Sequence, residues 1–312
     1  MLKNPQPFVS IALCTYNGSK FLLEQIESVL NQEYTNFELV IVDDDSTDNT
    51  CDIIYSYLKD SRIRFYKNEK NLGYAANFGK ALSLCNGELI ALSDQDDIWL
   101  PKKIKFMVSL IGATSGLYHN SVFMTETGKL TGVKLTDKVH FVSGKNPESL
   151  LLYNYVGGHT LMIKREVLKY ALPIPNGIYH DWWIAFVCMN LDGLDYIEKP
   201  LVYYRLHDSN QTVLAERNRK IYKTDRHKLK RYKKVRKVSE SIHLLEIFEK
   251  ATFVSAGLRF KIKRLIRLEK DRLKSAFSFR LFSFLVNNIS IYDSSHRGYL
   301  GKLNAIRKDS QG

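Results

Sequence analysis

The chain has 312 residues, 45% of them hydrophobic and 25% charged, and these ordinary globular values exclude a wholly disordered protein. The net charge of +13 is unevenly spread, because residues 216–312 hold 26 Lys and Arg against 9 Asp and Glu, which leaves residues 1–215 slightly acidic. We therefore predict two regions, residues 1–215 and a basic region, residues 216–312, attached to them.

Short apolar segments alternate with helical patterns over the first 110 residues. Strands are predicted at Phe8–Cys14, Phe37–Val42, Arg62–Tyr66 and Gly87–Leu92, and helices at Ser19–Asn31, Asp48–Leu58 and Gly73–Leu84. Strands that alternate with helices, and are apolar throughout, indicate an α/β fold with a mostly parallel central sheet.

The second half of the chain has a less regular pattern. Residues 113–146 are predicted to be irregular or to form short strands. Further on we predict a helix at Pro147–Tyr155, a strand at Val156–Ile163, a helix at Tyr179–Leu191, and strands at Tyr196–Ile197 and Val202–Leu206. The basic region is predicted to be mainly helical.

The cysteines, the first residues and the lengths of the apolar runs indicate the cellular compartment. Cys14, Cys51, Cys85 and Cys188 have no C-x-x-C spacing, which argues against a zinc or redox motif and fits a reducing compartment. The first residues do not combine a charged start with an apolar core, and no apolar run reaches about 18 residues. A cytoplasmic protein without a spanning helix is expected.

Polar clusters follow three of the predicted strands, at Thr15–Asn17, Asp43–Asp45 and Asp94–Asp97. In open sheets of this kind, ligands bind beyond the carboxyl ends of the strands. A single site built from all three clusters is therefore predicted.

The acidic clusters each allow two interpretations. In an extended segment Asp94 and Asp96 point the same way, and two such carboxylates suit Mg²⁺ or Mn²⁺; alternatively the segment is a solvated turn with Asp97 or a neighbour as helix cap. Asp43 or Asp44 can accept a hydrogen bond from a nucleotide base or ribose, while the alternative is helix capping by Asp45 or Ser46.

Three further segments carry candidate groups. In His180-Asp181-Trp182-Trp183 a carboxylate beside apolar rings is suited to general-base catalysis, or the segment is a helix start with core tryptophans. In Arg205-Leu206-His207, the Arg can bind a phosphate and the His can ligate a metal. The alternative is that both residues lie in a surface turn. Asn71-Leu72-Gly73 and Asn77 lie at a predicted helix start. They either contact a nucleotide or only form the turn that precedes the helix.

The motifs S-I-A-L-C-T-Y-N-G, V-I-V-D-D-D-S-T-D, N-L-G, S-D-Q-D-D, G-H-T, H-D-W-W and Y-R-L-H together resemble the family 2 glycosyltransferases. The resemblance covers about residues 8–210, and the D-Q-D-D and H-D-W-W forms are most similar to bacterial rhamnosyltransferase-type enzymes. It implies a GT-A type nucleotide-sugar-binding domain. The chain departs from the pattern at Asp45, where Gly is commoner, and at Tyr74–Asn77, which lacks an Arg often found before the Asn.

Carried over residue by residue, the resemblance assigns roles to particular positions. It implies a base at Asp181, a metal site for Mg²⁺ or Mn²⁺ at Asp96 and His207, and acceptor contacts at Gly158, His159 and Trp182. The implied donor contacts are Thr15, Tyr16, Asn17, Asp43, Asp44, Asn71, Gly73, Asn77 and Asp94.

The implied activity is inverting, metal-dependent transfer of a sugar, rhamnose among the candidates, from a UDP- or dTDP-linked donor to a glycan hydroxyl. The acceptor is expected to be lipid-linked, in synthesis of a surface polysaccharide such as an O-antigen or capsule. Glu216–Lys237 carries twelve basic residues, which fits an anionic membrane surface at the inner face of the cell membrane or a solvated helix.

Two other functions are compatible with parts of the sequence. One is a non-catalytic nucleotide-sugar-binding protein. The other is a nucleic-acid-binding protein that acts through the basic region, but the acidic clusters would repel phosphate, so nucleic acid is not an expected partner.

Overall fold

The computed structural model describes residues 6–208, 210, 226–272, 277–293 and 299–311. Two compact units are present, one of Met1–Asn146 with Asn154–Arg205 and the other of Pro147–Tyr153 with Leu206–Gly312. The predicted boundary near residue 215 and residues 216–225 of the basic Glu216–Lys237 segment lie outside the described residues.

The first unit begins with four parallel strands and the helices between them. The elements are β1 (Val9–Thr15), α1 (Leu22–Leu30), β2 (Phe37–Asp43), α2 (Thr50–Tyr57), β3 (Ile63–Lys67), α3 (Tyr74–Leu84) and β4 (Leu89–Ser93). The strands lie in the order β3-β2-β1-β4, and every residue of β1, β2 and β4 is buried. Such strands need cover on both faces, which explains their mostly apolar sequences.

Five more strands extend the sheet beyond β4. They are β5 (Ile98–Trp99), β6 (Gly116–Thr125), β7 (Leu130–Lys134), β8 (Met162–Lys164) and β9 (Leu194–Leu206), accompanied by α4 (Lys103–Leu110), α5 (Leu168–Ala171) and α6 (His180–Asn190). The order continues β4-β8-β6-β9-β5, and the β4–β8, β6–β8 and β5–β9 pairs are antiparallel. The predicted α/β class is confirmed.

The core of this unit lies between the sheet and its helices. In α1, Leu22, Ile26 and Val29 are fully buried, four and three residues apart, so one helix face packs on the strands. Cys14 and Cys85 are buried thiols, as predicted.

Several predicted elements between residues 113 and 206 are wrong. The region predicted to be irregular or to form short strands contains the ten-residue strand β6 as well as the five-residue β7. The predicted strand Val156–Ile163 is a 3-10 turn, Gly158–Thr160, followed by the short β8, because the Thr160 N–H and Oγ1 both donate to the Gly157 carbonyl. The two strands predicted around Tyr196 and Val202 are one strand, β9.

The second unit is helical, as predicted for the C-terminal region. Its described helices are α7 (Arg226–Lys250), α8 (Ala256–Arg272), α9 (Phe279–Asn287) and α10 (Tyr299–Asp309). Of the predicted helix Pro147–Tyr155, only Pro147–Leu150 is helical, as a 3-10 turn closed by a hydrogen bond from the Leu151 N–H to the Glu148 carbonyl.

A partly buried carboxylate, Asp309, accepts several hydrogen bonds in the second unit. Asp309 Oδ2 accepts hydrogen bonds from the hydroxyls of Tyr153 and Tyr292, at 2.6 and 2.7 Å.

Among the described helices, none is both long enough and apolar enough to cross a membrane.

Candidate active site

The carboxyl ends of β1, β2 and β4 meet at one edge of the sheet, where the structure brings the three polar clusters together. In the strand register Thr15 pairs with Asp43, and Leu13 pairs with Ser93, the residue before Asp94. Because the strands are parallel, their polar continuations emerge side by side.

The segment after β1 is tied to the segment after β4. The Tyr16 N–H donates to Gln95 Oε1 at 2.8 Å, and Gln95 Nε2 donates to the Tyr16 carbonyl at 3.1 Å. A Cβ on Gly18 would lie 2.2 Å from Gln95 Oε1, so a side chain at this position would displace the Gln95 amide. Asn17 has a φ of 47°, and its Oδ1 accepts the Thr47 N–H at 2.9 Å.

Asp43, a predicted donor ligand, is fully buried and organises the loop after β2. Its Oδ2 accepts the hydroxyls of Thr15 and Ser46, at 2.7 and 2.6 Å, while its Oδ1 accepts the Ser46 N–H at 2.9 Å. Both oxygens therefore already have protein donors, and the loop is held at a defined distance from β1.

Asp44 connects that loop to the start of α3. Its carboxylate accepts the backbone N–H groups of Leu72 and Gly73, at 2.8 and 2.9 Å, and the amide of Asn68 at 2.8 Å. The next residue, Asp45, has a φ of 64°, so it adopts the left-handed turn expected where glycine is commoner.

Two asparagines predicted as donor ligands complete this network. The Asn71 amide lies 3.3 Å from the Asp44 carbonyl, and Asn71 Oδ1 accepts the Gly73 N–H. Asn77 is buried, and its amide donates to the Val42 carbonyl at 3.0 Å. The network fixes the backbone around Gly73, whereas contact of these residues with a nucleotide stays a prediction.

The acidic segment after β4 bends at Gln95 and Asp96, so it is not extended. As a result Asp94, Asp97 and His159 converge, with one ligand atom of each within 4.8 Å of the others. Asp97 is fully buried and its Oδ2 has no hydrogen-bond partner among the described residues, while its Oδ1 accepts the Arg205 N–H at 3.0 Å.

The electrostatics of this cluster fit a bound cation. Partial burial, together with the charges of Asp96 and Asp181, raises the pKa of Asp94 to about 8. Burial, then Asp96 and Asp94, raise the pKa of Asp97 well above its ordinary value. Two carboxylate oxygens, one without a hydrogen-bond donor, and an imidazole nitrogen form a donor set suited to a divalent cation, whose charge would offset this repulsion.

His159, predicted to contact the acceptor, lies buried beside this cluster, and its contact with the acceptor stays a prediction. Its ring stacks on Tyr204 with centroids 4.5 Å apart, and its Nδ1 lies 3.9 Å from Asp94 Oδ2. Burial, and then the charge of Lys103, lower the pKa of His159 to about 3. The imidazole is therefore neutral near pH 7, the form that can ligate a metal.

The sequence predictions missed Lys103, which lies fully buried beside the cluster. Its Nζ donates to the His159 carbonyl at 2.6 Å and lies 3.3 Å from the centre of the Trp99 ring. Burial lowers the pKa of Lys103, whereas Asp97 and Asp94 oppose that shift. The only sequence signal was a lysine near a helix start, which is usually solvated.

Arg205 is neither a phosphate ligand nor a surface residue. It is 2% exposed, and its guanidinium donates to the carbonyls of Asp96 and Glu126 and to the carboxylate of Glu24. It therefore anchors the bend that carries Asp96. His207 lies in the second unit, where its N–H donates to Asn210 Oδ1, and its role at a metal stays a prediction, as does that of Asp96.

Asp181 lies in the first turn of α6. Its Oδ2 accepts the Gly158 N–H at 3.1 Å, and its Oδ1 accepts the Trp182 N–H at 2.6 Å and the Asn154 amide at 3.2 Å. Burial raises the pKa of Asp181 to about 6, although these hydrogen bonds oppose the rise. A carboxylate with such a pKa can hold a proton transiently near neutral pH, as a general base must.

The two tryptophans after Asp181 differ. Trp183 is a core residue whose indole donates to the Ala171 carbonyl at 2.8 Å, while Trp182 keeps part of its side chain exposed. Trp182 is thus the one that can meet a ligand.

Comparison with known proteins identifies the family. Residues 10–169, about half of the chain, match the profile of glycosyl transferase family 2. The chain belongs to this family. Its fold is the GT-A type: the crystal structure of S. aureus TarS 1-349 in complex with UDP-GlcNAc superimposes with a TM-score of 0.61 at 16% identity, over 91% of this chain and 81% of that one.

Two relatives of this family 2 glycosyltransferase have named roles. The putative teichuronic acid biosynthesis glycosyltransferase TuaG of Bacillus subtilis is 33% identical over 170 residues, 53% of this chain and 65% of TuaG. The UDP-Glc:alpha-D-GlcNAc-diphosphoundecaprenol beta-1,3-glucosyltransferase WfgD of Escherichia coli is 40% identical over 116 residues, 37% of this chain and 44% of WfgD.

Proposed function

We propose that this glycosyltransferase transfers a sugar from a UDP- or dTDP-linked donor to a hydroxyl of a lipid-linked glycan, in surface polysaccharide synthesis. The transfer inverts the configuration at the anomeric carbon of the sugar. The names of WfgD and TuaG support the nucleotide donor, the lipid-linked acceptor and the polysaccharide. Rhamnose is one candidate for the donor sugar.

The observation that carries the proposal is the placement of Asp181 beside the acidic strand-end cluster. Asp181 is close enough to Asp94 for its charge to raise the pKa of that carboxyl, yet it belongs to a different element, α6. An inverting transfer needs such an arrangement, with the base on one side of the sugar and the groups that hold the nucleotide on the other.

In the proposed reaction, Asp181 takes the proton of the acceptor hydroxyl. The electron pair left on the acceptor oxygen forms a bond to the anomeric carbon, and the bond from that carbon to the diphosphate oxygen breaks on the opposite face. The configuration inverts and the nucleoside diphosphate leaves. The hydrogen bonds from Gly158, Trp182 and Asn154 hold the carboxylate in one orientation throughout.

Asp94, Asp97 and His159 would hold Mg²⁺ or Mn²⁺, with Asp96 and His207 as the ligands that the family resemblance adds. When bound, such a cation supplies positive charge next to the departing diphosphate. The donor contacts proposed are Thr15, Tyr16, Asn17, Asp43, Asp44, Asn71, Gly73, Asn77 and Asp94, and the acceptor contacts are Gly158, His159 and Trp182.

Helix α8 supports the proposed membrane partner. Its exposed residues include Lys263, Arg264 and Arg267, and Phe260 is 68% exposed. These positions are three or four residues apart, so they share one helix face, where basic residues attract anionic lipid and a Phe can enter the interface. We propose that the protein acts in the cytoplasm, peripherally at the inner face of the cell membrane.

Thermal shift with nucleotides and nucleotide-sugars, with and without Mn²⁺, tests the donor and the metal. We expect stabilisation by UDP or dTDP compounds that depends on Mn²⁺ and is lost in Asp96→Ala and Asp97→Asn, but kept in the exposed control Asp52→Asn. Stabilisation by nucleic acid, with no shift by any nucleotide, would refute the proposal.

Transfer itself is tested with a GlcNAc-diphosphate-lipid acceptor and a panel of UDP- and dTDP-sugars. An enzyme loses turnover in Asp181→Asn but keeps donor binding. A donor-binding protein that gives no product with any pair would instead be the non-catalytic binder. The anomeric configuration of the product, read by NMR, decides between inversion and retention.

A further inference from the structure

Two exposed tyrosines stack on each other beside Asp181. Tyr74 and Tyr179 are 40% and 38% exposed, and their ring centroids are 5.4 Å apart with an angle of 24° between the planes. Large aromatic side chains left half in solvent, yet packed against each other, form one rigid apolar surface with polar hydroxyls at its edge.

Both rings are fixed by their backbone positions. Tyr74 is the first residue of α3 and follows Gly73, whose N–H is held by Asp44, while Tyr179 immediately precedes α6, two residues before Asp181. The surface thus lies between the loop proposed to contact the donor and the proposed base. The pKa of Tyr74 is raised by burial, and then by Tyr179 and Asp181, so the carboxylate is near.

A buried ring supports the pair from behind. His180 is 7% exposed and stacks on Phe78 with centroids 3.6 Å apart, and its ring lies 6.5 Å from that of Tyr74. A Cβ on Gly158 would lie 2.7 Å from His180 Nε2, so the same imidazole also contacts the turn whose N–H binds Asp181. The tyrosine surface and the base are therefore held by one packed unit.

We propose that Tyr74 and Tyr179 form the platform on which a pyranose ring of the acceptor glycan stacks, so that one of its hydroxyls reaches Asp181. The inference rests on the proposed transferase function. The negative faces of aromatic rings attract the C–H groups that line one face of a pyranose, whereas the sugar hydroxyls project from its rim. The predicted nucleotide contacts lie at the ends of β1 and β2 and around Gly73, whereas Tyr179 stands two residues before the proposed base, so the acceptor is the ligand that this surface fits.

Saturation-transfer NMR tests the platform without turnover, using methyl glycosides of glucose, N-acetylglucosamine and rhamnose in the presence of UDP. We expect signal from one glycoside with the wild type, a several-fold loss in Tyr74→Ala and Tyr179→Ala, and little change in Tyr74→Phe and Tyr179→Phe, which keep the ring faces. Tyr55→Ala is the matched control, because Tyr55 is also exposed (54%) and packs on an aromatic ring, Phe65, but lies on α2.

The kinetic counterpart is the KM for the acceptor. Loss of either ring should raise it about five- to tenfold, the effect of one aromatic contact of roughly 1–1.5 kcal/mol, with donor affinity unchanged. Equal signals in wild type and Ala variants, no signal from any glycoside with the wild type, or a loss confined to nucleotide binding would overturn the inference. Glycoside binding that depends on the tyrosines, without transfer to any acceptor, would instead leave the platform standing and refute the transferase.

Discussion

Replacing Asp181 by Asn should abolish transfer and, at alkaline pH, make the protein more stable. Burial raises the pKa of Asp181 from its ordinary value of 3.8 to about 6. At about 1.36 kcal/mol per pH unit, this rise corresponds to roughly 3 kcal/mol by which folding disfavours the ionised carboxylate. The ionised, partly desolvated carboxylate therefore destabilises the folded protein, whereas the neutral amide of Asn does not.

The gain is reduced by a lost hydrogen bond. Asp181 accepts hydrogen bonds from Gly158, Trp182 and Asn154, and an amide has only one oxygen to accept them, which costs about 1–1.5 kcal/mol. The net effect expected at pH 8 is a stabilisation of about 1–2 kcal/mol, or roughly 3–6 °C in melting temperature.

The expected stabilisation depends on pH. Because the folded pKa lies above the unfolded one, the wild type has its full stability below about pH 4 and loses it as pH rises through about 6. The difference between variant and wild type should therefore be present at pH 8 and vanish near pH 4.5. Differential scanning calorimetry at both pH values measures it, with Asp52→Asn as control. A variant that is less stable at pH 8, or equally stabilised at both values, would refute the reasoning.

Three further outcomes are expected. The kcat/KM for transfer should fall about tenfold between pH 7 and pH 5, since Asp181 must be ionised to act as base; a flat profile would exclude it. Arg205→Met should cost about 2–4 kcal/mol in urea unfolding, because it removes the hydrogen bonds by which this buried guanidinium joins Asp96, Glu126 and Glu24, whereas Arg236→Met, which breaks an exposed pair, should cost under about 0.5 kcal/mol. Gly158→Ala should lower kcat at least about tenfold by displacing His180, while Gly257→Ala, whose Cβ meets open space, should leave kcat unchanged; equal kcat values would contradict the geometry.

Short-range sequence patterns were sufficient for the parallel half of the sheet. Its strands are mostly apolar runs bounded by Gly or polar residues, and each lies within two or three residues of the predicted range. The antiparallel half was poorly predicted, because β6, β8 and β9 pair with strands distant in sequence and carry no uniform pattern. The Gly157–Thr160 turn, for example, interrupts a run that looks like one strand.

The sequence by itself determined the fold class, the family and the meeting of three polar clusters at one sheet edge, because parallel strands must end side by side. Only the tertiary structure decided which side chains share a site. The bend at Gln95 and Asp96, held by Arg205 more than 100 residues away, turns Asp97 rather than Asp96 toward Asp94 and His159. Burial by distant segments likewise shifts the pKa values of Lys103 and Asp181, since desolvation depends on neighbours that chain position does not specify.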